Sequence, residues 1–149
     1  IQRLMRDIKQ DFPKYDIVLT PLASSLAEDT TGMGGFVYKD LWNSPEGKYI
    51  SWFNAQSYGD LNFDELKAIV NNGYPVDKIV LGMLGTQIKS LGNFQQLCDE
   101  IVKCEKEYGY IFGGVFIWEY YDQPKDWLKM MNKIINIKKY SKKYRCNIC

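Results

Sequence analysis

Ile50-Ser51-Trp52-Phe53-Asn54-Ala55-Gln56-Ser57-Tyr58 is a nearly continuous apolar run that turns polar at its C-terminal end. A strand buried on both faces has this look, because neither face needs a polar alternation to meet water. Three more runs of the same kind lie on either side, at 17–22, 79–83 and 115–118. Counting the run at 50–55, successive starts are 33, 29 and 36 residues apart. That spacing leaves room for a helix between each pair.

The intervening segments carry helical periodicity. Ile1, Leu4, Met5 and Ile8 recur at i, i+3, i+4 and i+7 ahead of the first strand. Phe63, Leu66, Ile69 and Val70 do so after the second, with Asp60 or Asn62 as cap and Gly73 as stop before Tyr74-Pro75. Phe94, Leu97 and Ile101, with Cys98 beside them, form a third stripe capped by Asn93. Trp127, Leu128, Met131, Ile134 and Ile135 form a fourth, with Pro124 near its first turn. The Gly-rich segment 30–35, followed by Phe36, Tyr38, Leu41 and Trp42, is expected to hold a short helix and a loop over a site. A helix followed by four strand–helix units implies an α/β protein with a parallel sheet and right-handed crossovers. Period alone leaves two architectures open: an open, doubly wound sheet or part of a barrel.

Composition narrows the function classes. Hydrophobic residues make up 46% and charged residues 25%, which excludes disorder over most of the chain. The net charge of +1 excludes a surface given over to nucleic acid or an anionic membrane. No apolar run reaches the roughly 20 residues of a membrane span. The chain begins at Ile1 without a secretory leader pattern, which points to processing or to an upstream segment. Cys98 and Cys104, six apart on a helix, turn to different faces and are not expected to bond. Cys146 and Cys149 form a Cys-x-x-Cys in a chain with no histidine, too few ligands for a zinc site; free or loosely paired thiols are the plainer expectation. With no Gly-x-Gly-x-x-Gly and no phosphate-loop lysine motif, no cofactor is expected.

In both architectures function gathers at the C-terminal ends of the strands. Asn54, Gln56 and Tyr58 alternate there and share a face. Three buried polar groups without partners would cost about 1–3 kcal/mol each, so they either satisfy one another and water or bind a ligand. The last strand ends Gly113-Gly114-Val115-Phe116-Ile117-Trp118-Glu119. Trp118 is either core or a flat platform for a sugar ring. Glu119 and Asp122 lie beside it, and Glu119 is a candidate acid, although salt bridging or helix capping is the commoner role for such a carboxylate. Met83 ends the third strand and completes the candidate lining.

These strand ends resemble glycoside hydrolase family 18, in particular its hevamine- and endoglycosidase-like branch. Asp16-Ile17-Val18-Leu19-Thr20-Pro21 resembles the fifth barrel strand and Phe53-Asn54-Ala55-Gln56-Ser57-Tyr58 the sixth. Ile79-Val80-Leu81-Gly82-Met83 resembles the seventh, and Gly113-Gly114-Val115-Phe116-Ile117-Trp118 the eighth. The resemblance implies the C-terminal half, strands 5–8, of a (β/α)8 barrel over residues 1–137. Residues 138–149 are left as a basic, cysteine-containing tail.

By the same resemblance, Tyr58 would orient a substrate N-acetyl group and Gln56 would support it. Trp118 would floor that sugar subsite. Asn54, Met83 and Glu119 would join the lining. The implied chemistry is substrate-assisted, retaining hydrolysis of β-1,4-linked N-acetylglucosamine glycans, without the usual second carboxylate. The implied acid ends an Asp-x-x-Asp-x-Asp-x-Glu motif that this sequence lacks, so it is expected upstream. The alternative is a chitinase-like protein without catalysis that binds glycan or serves a structural role. Leu22-Ala23-Ser24 and Leu84 stand where relatives often carry Ala-Pro-Gln and proline, a departure that implies altered specificity or lost activity. The family also implies a secreted or extracytoplasmic location.

Four parallel strands would leave two open edges, which proteins normally cover. A partner is therefore expected: the N-terminal half of the same barrel or a second chain. No nucleic acid and no membrane are expected as partners. The tail 138–145, with five basic residues in eight, fits a solvated terminus or a grip on polyanions.

Overall fold

The computed structural model describes residues 1–59, 63–90, 94–109 and 111–119, together with positions 121, 125, 127, 129 and 131. Helix α1 (Gln2–Asp11) precedes strand β1 (Ile17–Leu19), and two short helices follow, α2 (Ala23–Ala27) and α3 (Tyr38–Asn43). Strand β2 (Ile50–Gln56) leads to α4 (Asp64–Asn71), and β3 (Ile79–Leu84) to α5 (Gly85–Ser90) and α6 (Phe94–Glu107). Strand β4 (Gly114–Trp118) comes last, and positions 127, 129 and 131 beyond it are helical. All four expected strands are present. The caps expected at Asp60, Asn62 and Asn93, the positions Asp122, Pro124, Leu128, Ile134 and Ile135, and the whole of 132–149 with its Cys-x-x-Cys and basic stretch lie outside the described residues.

The sheet is wholly parallel, in the order β1-β2-β3-β4. Spatial order follows chain order without reversal. Right-handed crossovers in such a sheet place every helix on the same face. A doubly wound sheet must reverse at a switch point, so the open flavodoxin-like alternative falls.

Burial agrees. Phe53, Ala55, Ile79, Leu81, Met83 and Val115 are buried on the helix-covered face. Their alternates Val18, Trp52, Asn54, Val80, Leu84 and Phe116 are only half-buried. The inner face of the half barrel is therefore open among the described residues.

Helix α4 shows how local sequence sets the frame. Asp64 and Glu65 in its first turn oppose the positive end of the helix dipole. Leu66 and Ile69 are fully buried, each contributing about 1.5–3 kcal/mol by leaving water. Gly73 ends the helix at φ +91°, a conformation that favours glycine. Its N–H bonds the Val70 carbonyl at 2.8 Å and that of Tyr74 bonds the Ile69 carbonyl at 3.4 Å, the two bonds of a Schellman stop.

Two expectations need correction. In α1 only Met5 of the apolar stripe is buried, while Ile1 and Leu4 stay half exposed, because nothing among the described residues covers that side of the helix. The Gly-rich segment does lead to a short helix, α3, but not to a loop over the strand ends. Asn72, at the far end of α4, donates to the Leu26 carbonyl at 2.6 Å and to Asp29 Oδ1 at 2.8 Å. Lys39 in turn donates to the Asn72 carbonyl. These bonds hold the segment at the end of the sheet where strands begin.

Candidate functional site

At the C-terminal edge of the sheet, β2 is stitched to β1. The Gln56 N–H donates to the Pro21 carbonyl and its side-chain Nε2 to the Thr20 carbonyl, both at 2.9 Å. This leaves the acceptor oxygen of Gln56 without a bond among the described residues. Asn54, one step lower, accepts from the Trp52 indole at 3.0 Å, so its carbonyl oxygen is already used. Tyr58 lies two residues beyond the end of β2 and is half-buried. Burial pushes the Tyr58 phenol above its ordinary pKa.

Across the sheet, Gln56 pairs with Gly82, and Gly82 with Phe116. A Cβ built on Gly82 would stand 2.1 Å from Phe116 Cζ, so the phenyl ring lies over the bare glycine backbone. Two pairs further, Leu84 lies beside Trp118, which is 59% exposed. An apolar wall of Phe116, Leu84 and Trp118 thus borders the polar row of Asn54, Gln56 and Tyr58. Glu119 is exposed next to Trp118, across a cis peptide bond.

Met83 leaves this group. It is 2% exposed although the inner face is open, so its burial comes from the helix layer it shares with Ile79 and Leu81. Strand alternation turns it away from Gln56 and Trp118. Sequence inspection missed Phe116 over Gly82, whose signal was a glycine paired with an aromatic. It also missed α5, whose six residues are too few to show a periodicity. Among the described residues no cluster of three His, Cys, Asp or Glu side chains is placed to hold a metal.

A singly wound parallel sheet, with its helices on one face and a polar and aromatic row at the strand ends, defines half of a (β/α)8 barrel. No protein-family model and no curated protein matches the sequence. Solved structures do. A fungal endo-β-N-acetylglucosaminidase of glycosyl hydrolase family 18 superposes with a TM-score of 0.72 at 31% identity, over 91% of this chain and 50% of that one. A chitinase, ChiC, from Aspergillus fumigatus gives 0.69 at 27% identity, over 88% of this chain and 51% of that one. The chain is thus similar to solved structures of glycoside hydrolase family 18, the chitinase-like family, and spans about half the length of each. No described helix is long and apolar enough to cross a membrane.

Proposed function

We propose that this chain is the C-terminal, sugar-binding half of a chitinase-like hydrolase acting on β-1,4-linked N-acetylglucosamine glycans. The observation that carries the proposal is the strand-end edge itself. Gln56 keeps a spare acceptor at the end of β2, Tyr58 follows it two residues on, and the exposed indole of Trp118 ends β4 on the same edge of the sheet. A sugar with an N-acetyl arm offers complementary chemistry: an apolar ring face for the indole, and an amide for the phenol and the carboxamide.

In the proposed mechanism Tyr58 orients the N-acetyl group so that its oxygen attacks the anomeric carbon, and Gln56 holds the same arm. Trp118 forms the floor beneath the ring. The proton for the leaving oxygen comes from a glutamic acid outside these 149 residues, because this sequence contains no Asp-x-x-Asp-x-Asp-x-Glu. Glu119 is assigned to the rim of the sugar site.

The proposal includes a partner: the N-terminal half of the same barrel. It is supported by the half-buried inner face, the bare Ile1 and Leu4 side of α1, and the outer edges of β1 and β4, which are unpaired among the described residues. Together these leave apolar surface and backbone donors for four further strands.

The test is hydrolysis of an N-acetylglucosamine tetramer by the full-length protein, with the anomer of the first product read by NMR. Retained configuration, with turnover lost in Tyr58→Phe and binding lost in Trp118→Ala, is the expected result. Binding without turnover would move the protein to the non-catalytic, glycan-binding branch of the family. Absence of both would remove the proposal.

A further inference from the structure

Tyr58 lies beyond the last residue of β2, where no sheet ladder holds it. Its two neighbours are tied down instead. Ser57 is buried, its N–H donates to the Gly82 carbonyl at 2.9 Å, and its hydroxyl donates to Glu65 in the first turn of α4. On the other side, Gln87 in α5 donates from Nε2 to the Gly59 carbonyl at 2.9 Å. Beyond the Ser57–Gly82 bond to β3, one bond to a helix side chain precedes Tyr58 and one follows it, and both reach into the helix layer rather than the open inner face.

We infer that Glu65 and Gln87 are positioning residues that clamp the backbone on either side of Tyr58 and so fix where its hydroxyl points. The inference rests on the proposed role of Tyr58. Neither clamp side chain touches substrate. Each removes freedom from a backbone segment that would otherwise swing the ring about its Cα. A misplacement of about 1 Å in a reacting geometry costs up to ~10²-fold in rate, so two anchors at i−1 and i+1 matter more for function than their bond energies suggest. The pairing also gives α5 a purpose: beginning directly at the end of β3, it brings the Gln87 amide to the linker that follows β2.

The experiment uses full-length protein with tyrosine labelled at the ζ carbon, the Tyr58 signal being identified by its loss in Tyr58→Phe. Gln87→Glu keeps the shape but removes the donor, and Gln87→Lys keeps a donor. Glu65→Leu removes the acceptor, and Glu65→Gln keeps one. The expected result is a shifted or broadened Tyr58 signal with an altered titration in Gln87→Glu and Glu65→Leu, restored in Gln87→Lys and Glu65→Gln. On the N-acetylglucosamine tetramer the first pair should lose about tenfold, in kcat more than in KM, and Tyr58→Phe/Gln87→Glu should be no slower than Tyr58→Phe alone. An unchanged Tyr58 signal and titration in both disrupting variants would overturn the clamp. If the parent protein shows no turnover, the catalytic proposal fails by itself, and the tyrosine signal still decides whether the clamp exists.

Discussion

Phe116 on β4 occupies the space that a side chain on Gly82 of β3 would need, the two residues being direct partners in the ladder. Gly113 is crowded by backbone instead: a Cβ there would stand 2.4 Å from the Ile79 carbonyl oxygen. A phenyl ring can swing toward the open inner face, whereas a strand backbone cannot move without its ladder. Gly113→Ala should therefore destabilise by about 1–3 kcal/mol and more than Gly82→Ala, as read from urea midpoints. Gly82→Ala should instead displace Phe116 beside Gln56, and a larger stability loss there than at Gly113 would contradict this ranking.

Tyr74 is buried among Trp42, Phe53 and the Lys39 ammonium, which sits 4.5 Å from its ring centroid. Its hydroxyl has no hydrogen-bond partner among the described residues, and burial, aided by Asp29 and Asp40, pushes its pKa well above the tyrosine range. Removing an unsatisfied buried hydroxyl relieves a penalty of order 1 kcal/mol. Tyr74→Phe should match or exceed the parent in thermal stability, and Tyr74→Ala should lose about 3–5 kcal/mol by emptying the cluster. A clear loss in Tyr74→Phe would show that the hydroxyl is bonded in solution.

Glu46 is a buried carboxylate whose charge is met by Arg6 of α1 at 2.6 Å. The bond ties α1 to the loop before β2. Arg6→Ala should cost about 1 kcal/mol, because it leaves the Glu46 carboxylate without its partner while the more than half-exposed Arg6 side chain keeps the pair screened by water. Adding Glu46→Gln should recover part of that loss. Stability that falls further in the double variant would argue against this account.

Cys104 is buried in α6, and burial with Glu107 and Glu105 pushes its thiol from the ordinary 9.0 up to about 12. Cys98 is shifted in the same direction, chiefly by burial. A thiol is neutral when protonated, so the fold favours its protonated form. That contribution is fully present below pH 9 and is lost as pH rises through about 12. Native protein at pH 8 should leave both thiols unalkylated by iodoacetamide, with modification appearing only under denaturing conditions. Peptide mapping checks this residue by residue, and modification of native Cys104 at pH 8 would contradict the burial.

Much of the fold was legible because it rests on short-range patterns. The runs around Ile17, Ile50, Ile79 and Val115 became strands, since β-rich apolar segments of five or six residues have few other ways to bury themselves. Gly73 ended its helix because a left-handed residue is needed there. The candidate site was legible in part: Gln56 and Trp118 could be placed from strand alternation alone. Met83 could not, because a continuous apolar run does not say which face looks toward the helices. Gln87 was invisible for another reason, since it matters only through its approach to Gly59, 28 residues away.

By itself, the sequence determined the α/β class, the order of strands and helices, and the polar and aromatic character of the strand ends. These depend on periodicity and backbone propensity over a few residues. Only the tertiary structure decided between a doubly wound sheet and a half barrel, the side on which Met83 lies, and the anchors that flank Tyr58. The physical reason is that these depend on which strands pair and which face the helices cover, and such relations join residues about 30 positions apart that no local pattern encodes.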